Sequence, residues 1–184
     1  MRAEGLRSQE GTGLLHSVGY YTLNNLPDGD RSIVTGVDGQ TEEEPEISAK
    51  KTTVMPDEWG DGPDDRIVLT TQPGLRYDLD IITVQAGSRI ALTFNNDDDM
   101  VHNVVIVEPN SADQVGVAAM NLGLDADALE YVPHMNEVLY HSSMLQPGQV
   151  ETIYFVAPNT PGEYEFVCTF PGHHISMRGI LKVK

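Results

Sequence analysis

From residue 66 onward, apolar and polar positions alternate in short runs separated by turn-forming residues. Residues 67–71 make one such run, closed by Gln72-Pro73-Gly74. Tyr77, Leu79 and Ile81 share one face of the next, with Asp78 and Asp80 on the other. In residues 90–94, Ile90, Leu92 and Phe94 share a face. A period of two is the mark of a half-buried strand, and turn signals at this spacing suggest a β-sandwich. After a turn at 95–99, residues 101–107 predict a strand on which His102, Val104 and Ile106 point one way. Further strands are expected over 138–143, 152–156, 162–169 and 178–184. The span 108–137 breaks the alternation. Within it, 113–120 and 125–129 predict short helical turns with acidic N-termini, an insertion long enough to act as a flap over one side of the domain. The pattern therefore predicts an all-β Greek-key sandwich of about eight strands with a short helical flap insertion.

Residues 1–65 follow a different pattern. They carry 14 of the 28 acidic residues but only 5 of the 11 basic ones, with many Gly and Pro. Residues 14–23 and 31–37 are apolar enough for two strands around a turn at 24–30, and 38–65 reads as linker. An isolated hairpin is marginal in water, so such a hairpin needs a surface to lie on. The division expected is an acidic N-terminal extension, 1–65, ahead of a domain at 66–184.

Composition narrows the partners. An apolar content of 40% over 184 residues is enough for a core, and no apolar run approaches the ~20 residues that span a bilayer. The first residues hold no apolar signal segment. A net charge of −17 argues against nucleic acid and against a polybasic membrane anchor, and favours neutral or basic partners.

The candidate chemistry is concentrated near the C-terminus. Cys168 is the only cysteine, so no intramolecular disulfide forms; alone it would read as a buried, inert thiol. But His173 follows five positions on and Met177 four beyond that. A thiolate, an imidazole and a thioether on one short loop are soft ligands suited to copper. With one more histidine they make the trigonal His₂Cys site with a weak axial Met of a blue-copper electron-transfer centre. The alternation of Tyr164, Phe166 and Cys168 points the sulfur inward, and that of residues 101–107 points His102 inward too. His174 is expected to face solvent or the loop, and His134 and His141 to lie on the surface. His16 has no assigned role. Met100 and Met144 read as packing residues, with Met100 contributing to an exposed apolar patch. Asp97, Asp98 and Asp99 read either as a solvated turn or as an acidic rim that selects a basic partner.

The motif Cys168-Thr169-Phe170-Pro171-Gly172-His173 with Met177, preceded by Met100, His102, Asn103 and Val105, resembles the azurin branch of the cupredoxins, including auracyanin-like members. The similarity extends through residues 123–129 and Gln146-Pro147-Gly148, and covers about 66–184. The resemblance implies one type 1 copper ion held by His102, Cys168 and His173, with Met177 axial. It implies a distant fifth contact from the carbonyl of Val101, where azurins carry Gly. It also implies that Asn103 ties the first ligand's strand to the cysteine loop, that the Phe170 amide donates to the sulfur, and that the His173 ring edge reaches the surface. The protein would be an electron carrier and not an enzyme. It would act outside the cytoplasm, as in the periplasm, after loss of a targeting segment, and exchange electrons with other redox proteins, alone or as a module of a larger one. The chain departs from azurins in lacking their disulfide, in its acidic extension and in the acidic run before Met100. Zinc also binds His and Cys and is a substitute expected in recombinant material. Two rival readings fare worse. A fragment of a multicopper oxidase or copper nitrite reductase needs His-x-His pairs, which the sequence lacks. A copper chaperone or storage domain would show Met- or His-rich tracts, which the seven scattered methionines do not form.

Overall fold

Two β-sheets pack face to face in the computed structural model, which describes residues 51–184. The strands expected at 14–23 and 31–37, and His16, lie outside the described residues. The strands are β1 (Asp65–Gln72), β2 (Arg76–Tyr77), β3 (Ile81–Val84), β4 (Arg89–Asn95), β5 (Val105–Val107), β6 (Val138–His141), β7 (Val150–Val156), β8 (Gly162–Val167) and β9 (Arg178–Val183), with one helix, α1 (Ala112–Met120). The first sheet has the order β2-β1-β4-β7 and the second β3-β9-β8-β5-β6. Neighbours are antiparallel except β1 with β4 and β3 with β9. This is the expected all-β sandwich with a short helical insertion.

The alternating positions fill the space between the sheets. Ile90, Leu92 and Phe94 of β4 meet Tyr164 and Phe166 of β8 in one core that also contains Cys168 and Met177. Burying each large apolar side chain contributes about 1.5–3 kcal/mol. Apolar residues line both faces of the second sheet. Val104 and Ile106 point into the sandwich core, while Val105 and Val107 join Ala112, Val115, Val138 and Val167 in a second cluster. Burial on both faces explains why 104–107 is continuously apolar. The helix is fixed at its start by Glu165 of β8, whose carboxylate accepts the Ala112 N–H at 3.1 Å. A negative charge is favourable at a helix N-terminus.

The structure corrects two of the expected strands. Residues 77–81 are not one strand. Tyr77 pairs with Thr71 in the first sheet, and Ile81 pairs with Ile180 in the second. Between them Asp78 turns back on Thr70, its amide donating to the Thr70 carbonyl at 2.8 Å and its carboxylate accepting the Thr70 N–H at 2.7 Å. The switch of sheet reverses the inward face, so Ile82 and Val84 are buried while Ile81 is 61% exposed. The other correction is the strand over 101–107, which pairs as a ladder only at Val105–Val107. Upstream, His102 makes a single two-way bridge to Leu145, with N–H···O distances of 3.1 and 2.8 Å.

The described part of the expected linker lies against the sandwich. The Thr52 carbonyl accepts the Tyr154 N–H at 2.8 Å. Asp64 holds Arg89 by two side-chain hydrogen bonds of 2.7 and 3.0 Å. Trp59 is 6% exposed and sits edge-to-face on Tyr154, centroids 6.2 Å apart. Ala91, the cross-strand partner of Tyr154, is only 4% exposed. Trp59 therefore belongs to the folded domain, and Trp59→Ala should cost about 3–5 kcal/mol. Urea unfolding followed by circular dichroism checks this; a midpoint equal to the parent's would make 51–64 a mere linker.

Candidate metal centre

Two segments separated by the whole flap bring three ligating atoms together at one pole of the sandwich. His102 is set by its bridge to Leu145, and Cys168 follows directly on β8. The loop then turns at Pro171-Gly172, with Gly172 in the left-handed region at φ 83°, into a 3₁₀ turn over His173–Ile175. A side chain at Gly172 would strain that turn. The loop closes on itself. Cys168 N–H donates to the Met177 carbonyl at 3.0 Å, His173 N–H to the Phe170 carbonyl at 2.9 Å, and Met177 N–H to the His173 carbonyl at 2.8 Å.

The Nδ1 atoms of His102 and His173 and the Sγ of Cys168 face one another. Sγ lies 3.8 Å from His102 and 3.5 Å from His173, and the two nitrogens are 3.2 Å apart. A point equidistant from these three corners lies about 2.0 Å from each, the length of a bond between a divalent metal and imidazole. All three residues are buried, His102 and Cys168 completely and His173 to 4% exposure. The donor set and its spacing fit copper or zinc. Met177, also fully buried, belongs to the same core as Cys168, and Val101 is half-buried.

Burial also sets the protonation states. It pushes the Cys168 thiol up to about 11, although the backbone N–H groups of Asn103 and Phe170 favour the thiolate. It pushes His102 down, against the pull of the Asp98 carboxylate. His173 is pushed down to about 4 by burial and by the neighbouring His102. At neutral pH both imidazoles are therefore neutral with lone pairs available, and only the sulfur still holds a proton that a metal must displace.

Asn103 joins the two segments. Its Oδ1 accepts the Thr169 N–H at 2.9 Å, and its Nδ2 donates to Thr169 Oγ1 at 2.8 Å and to the Glu130 carbonyl at 3.1 Å. Glu130 and Tyr131 are both left-handed, at φ 51° and 59°. Phe170 packs on His173, with centroids 4.8 Å apart, and Tyr131 on Phe170 at 5.1 Å. The His173 edge expected at the surface is thus almost covered.

Other residues depart from expectation. His174 does not face solvent; it is 5% exposed, its Nδ1 has no hydrogen-bond partner, and its ring occupies the space a Cβ on Gly116 of α1 would need. His141 is not a surface residue either. It ends β6 opposite Val105, is 2% exposed, and its Nδ1 lies 3.0 Å from the Ser142 carbonyl. His134 is exposed as expected. The acidic run splits, with Asp97 and Asp99 exposed while Asp98 places its Oδ2 3.1 Å from His102 Nε2. Only the run of three acids is visible in the sequence. Which of them turns inward depends on contacts with distant residues.

The family described as copper binding proteins, plastocyanin/azurin family, matches residues 66–184. Auracyanin-A of Chloroflexus aurantiacus is 32% identical over 112 residues, covering 59% of this chain and 67% of that protein. Azurin of Pseudomonas chlororaphis is 38% identical over 89 residues, covering 46% and 66%. The chain thus spans about two thirds of the length of these relatives. The crystal structure of dithionite-reduced auracyanin from Roseiflexus castenholzii superposes with a TM-score of 0.60 at 34% identity, covering 67% of this chain and 99% of that one.

The protonation states predict the cost of loading. Binding a divalent metal to the metal-free protein at pH 7 should release about one proton per ion, from Cys168. Because metal and proton compete for the sulfur, affinity should rise about tenfold per pH unit from neutral pH until the thiol ionises near 11. In acid, protonation of His102 and, near 4, of His173 steepens the dependence further. Calorimetry in buffers of different ionisation enthalpy reads the proton directly, and a binding event that releases none contradicts the assignment.

Proposed function

The chain belongs to the plastocyanin/azurin family of copper-binding proteins, and from that premise we propose that it carries single electrons between two other redox proteins through a type 1 copper centre. The supporting observation is the buried triangle of His102, Cys168 and His173. Copper, when bound, supplies one-electron exchange between Cu(II) and Cu(I). The chain's own residues hold the site in one geometry, so that little rearrangement accompanies the exchange. In this reading His102, Cys168 and His173 would be the strong ligands, Met177 a weak one, and the carbonyl of Val101 a further, distant contact. Asn103 and the Phe170 amide hold the cysteine loop against the first ligand and orient the sulfur. Zinc fits the same donors and would fill the site without redox activity.

The electron would pass at the His173 side, where Pro171 lies exposed on the loop. Met100, 44% exposed, adds apolar surface, and its exposed neighbours Asp97 and Asp99 suit a partner with a basic face. We place the protein outside the cytoplasm, with an acidic extension ahead of the copper domain, which takes in Trp59 and the segment packed on the sandwich. No helix among the described residues is long and apolar enough to cross a membrane. The family makes the protein an electron carrier rather than an enzyme.

Copper-loaded protein should be intensely blue from thiolate-to-copper charge transfer, and Cys168→Ser should abolish that band. A colourless Cu(II) adduct of the parent would overturn the proposal. Met177→Leu should keep the blue band but raise the reduction potential, since the axial ligand tunes it. Voltammetry reads that shift, and a potential equal to the parent's removes Met177 from the ligand set.

A further inference from the structure

The carboxylate of Asp98 is fixed at both oxygens. Oδ2 lies 3.1 Å from Nε2 of the fully buried His102, and Oδ1 accepts the Asp99 N–H at 2.7 Å. The Asp98 side chain is 17% exposed. A loop built on Asn96, itself 0% exposed, holds it there. Asn96 Nδ2 donates to the carbonyls of Met100 and Leu145 at 2.8 and 2.9 Å, and Asn96 Oδ1 accepts the Asp98 N–H at 3.2 Å. Thr71 Oγ1 accepts the Asp97 N–H at 2.8 Å. The Leu145 carbonyl that takes Asn96 Nδ2 also takes the His102 N–H. One network therefore fixes both the ligand's backbone and the acid beside its ring.

We propose that Asp98 is a positioning residue that selects the metal-binding tautomer of His102 and, by its charge, sets the potential of the centre. A carboxylate only accepts, so the nitrogen facing it must carry the proton. Nε2–H then points to Asp98, and the lone pair is left on Nδ1, the atom aimed at Cys168 and His173. The same negative charge favours Cu(II) over Cu(I). A reduced protein partner supplies one electron to Cu(II), and an oxidised one removes it from Cu(I). Asp97 and Asp99 carry the same formal charge one residue away but are exposed, and water screens them. The inference rests on His102 being a copper ligand.

Asp98→Asn, with Asp97→Asn and Asp99→Asn as charge-matched controls, tests the inference. All should remain blue; a parent without the band would defeat the proposed function instead. In Asp98→Asn the preference for Cu(II) over Cu(I) should fall about tenfold, a rise of about 59 mV for one electron. Each control should shift it by less than twofold. Asp98→Ala removes the acceptor as well, and Cu(II) affinity should drop 10- to 100-fold. Independently of any metal, ¹⁵N NMR of the metal-free parent should show His102 protonated at Nε2. Equal potentials for Asp98→Asn and the controls, or a His102 protonated at Nδ1 in the parent, would overturn the proposal.

Discussion

The metal pole depends on one amide side chain. Asn103 follows His102 and, through Thr169, fixes the residue after Cys168. Its hydrogen bond to the Glu130 carbonyl draws in the end of the flap as well. Three segments distant along the chain are thereby held to one geometry. Without these hydrogen bonds, a neutral thiol and two neutral imidazoles would have little reason to stay together in a buried space. Polar groups taken from water need partners, and the partner this arrangement suits is a metal ion.

The helical insertion supports the same site from behind. It covers the outer side of the second sheet with Ala112 and Val115, and it meets the ligand loop where Gly116 admits the ring of His174. Glu165 holds the start of the helix from β8, the strand that leads directly into Cys168. The flap is fixed to β8 by a carboxylate and to the cysteine loop by close packing.

Much of this is legible along the chain. Spacing within one loop singles out Cys168 and His173, which the structure brings together with His102. Alternation aims His102 and Cys168 inward. What the pattern misses is decided by packing between distant residues. The alternation from Tyr77 to Ile81 runs straight across a change of sheet, which period-two reasoning does not register. His141 looks like a surface residue, and His174 like one that faces solvent or its own loop, because local sequence does not show what covers a side chain. In His174 the cover is a bare stretch of helix at Gly116. Asp98 cannot be told from its two acidic neighbours, because the Asn96 network that turns it inward draws on Thr71, Met100 and Leu145. Residues 51–64 carry the composition of a linker, and one tryptophan outweighs it.

The enclosure of Cys168 also governs the life of the protein before any metal arrives. Oxidation by peroxide begins at an accessible thiolate and proceeds through sulfenic acid to irreversible products. Here the sulfur is at once inaccessible and protonated, and no second cysteine stands by to trap it as a disulfide. A newly folded, metal-free chain can therefore meet an oxidant with its one thiol chemically intact.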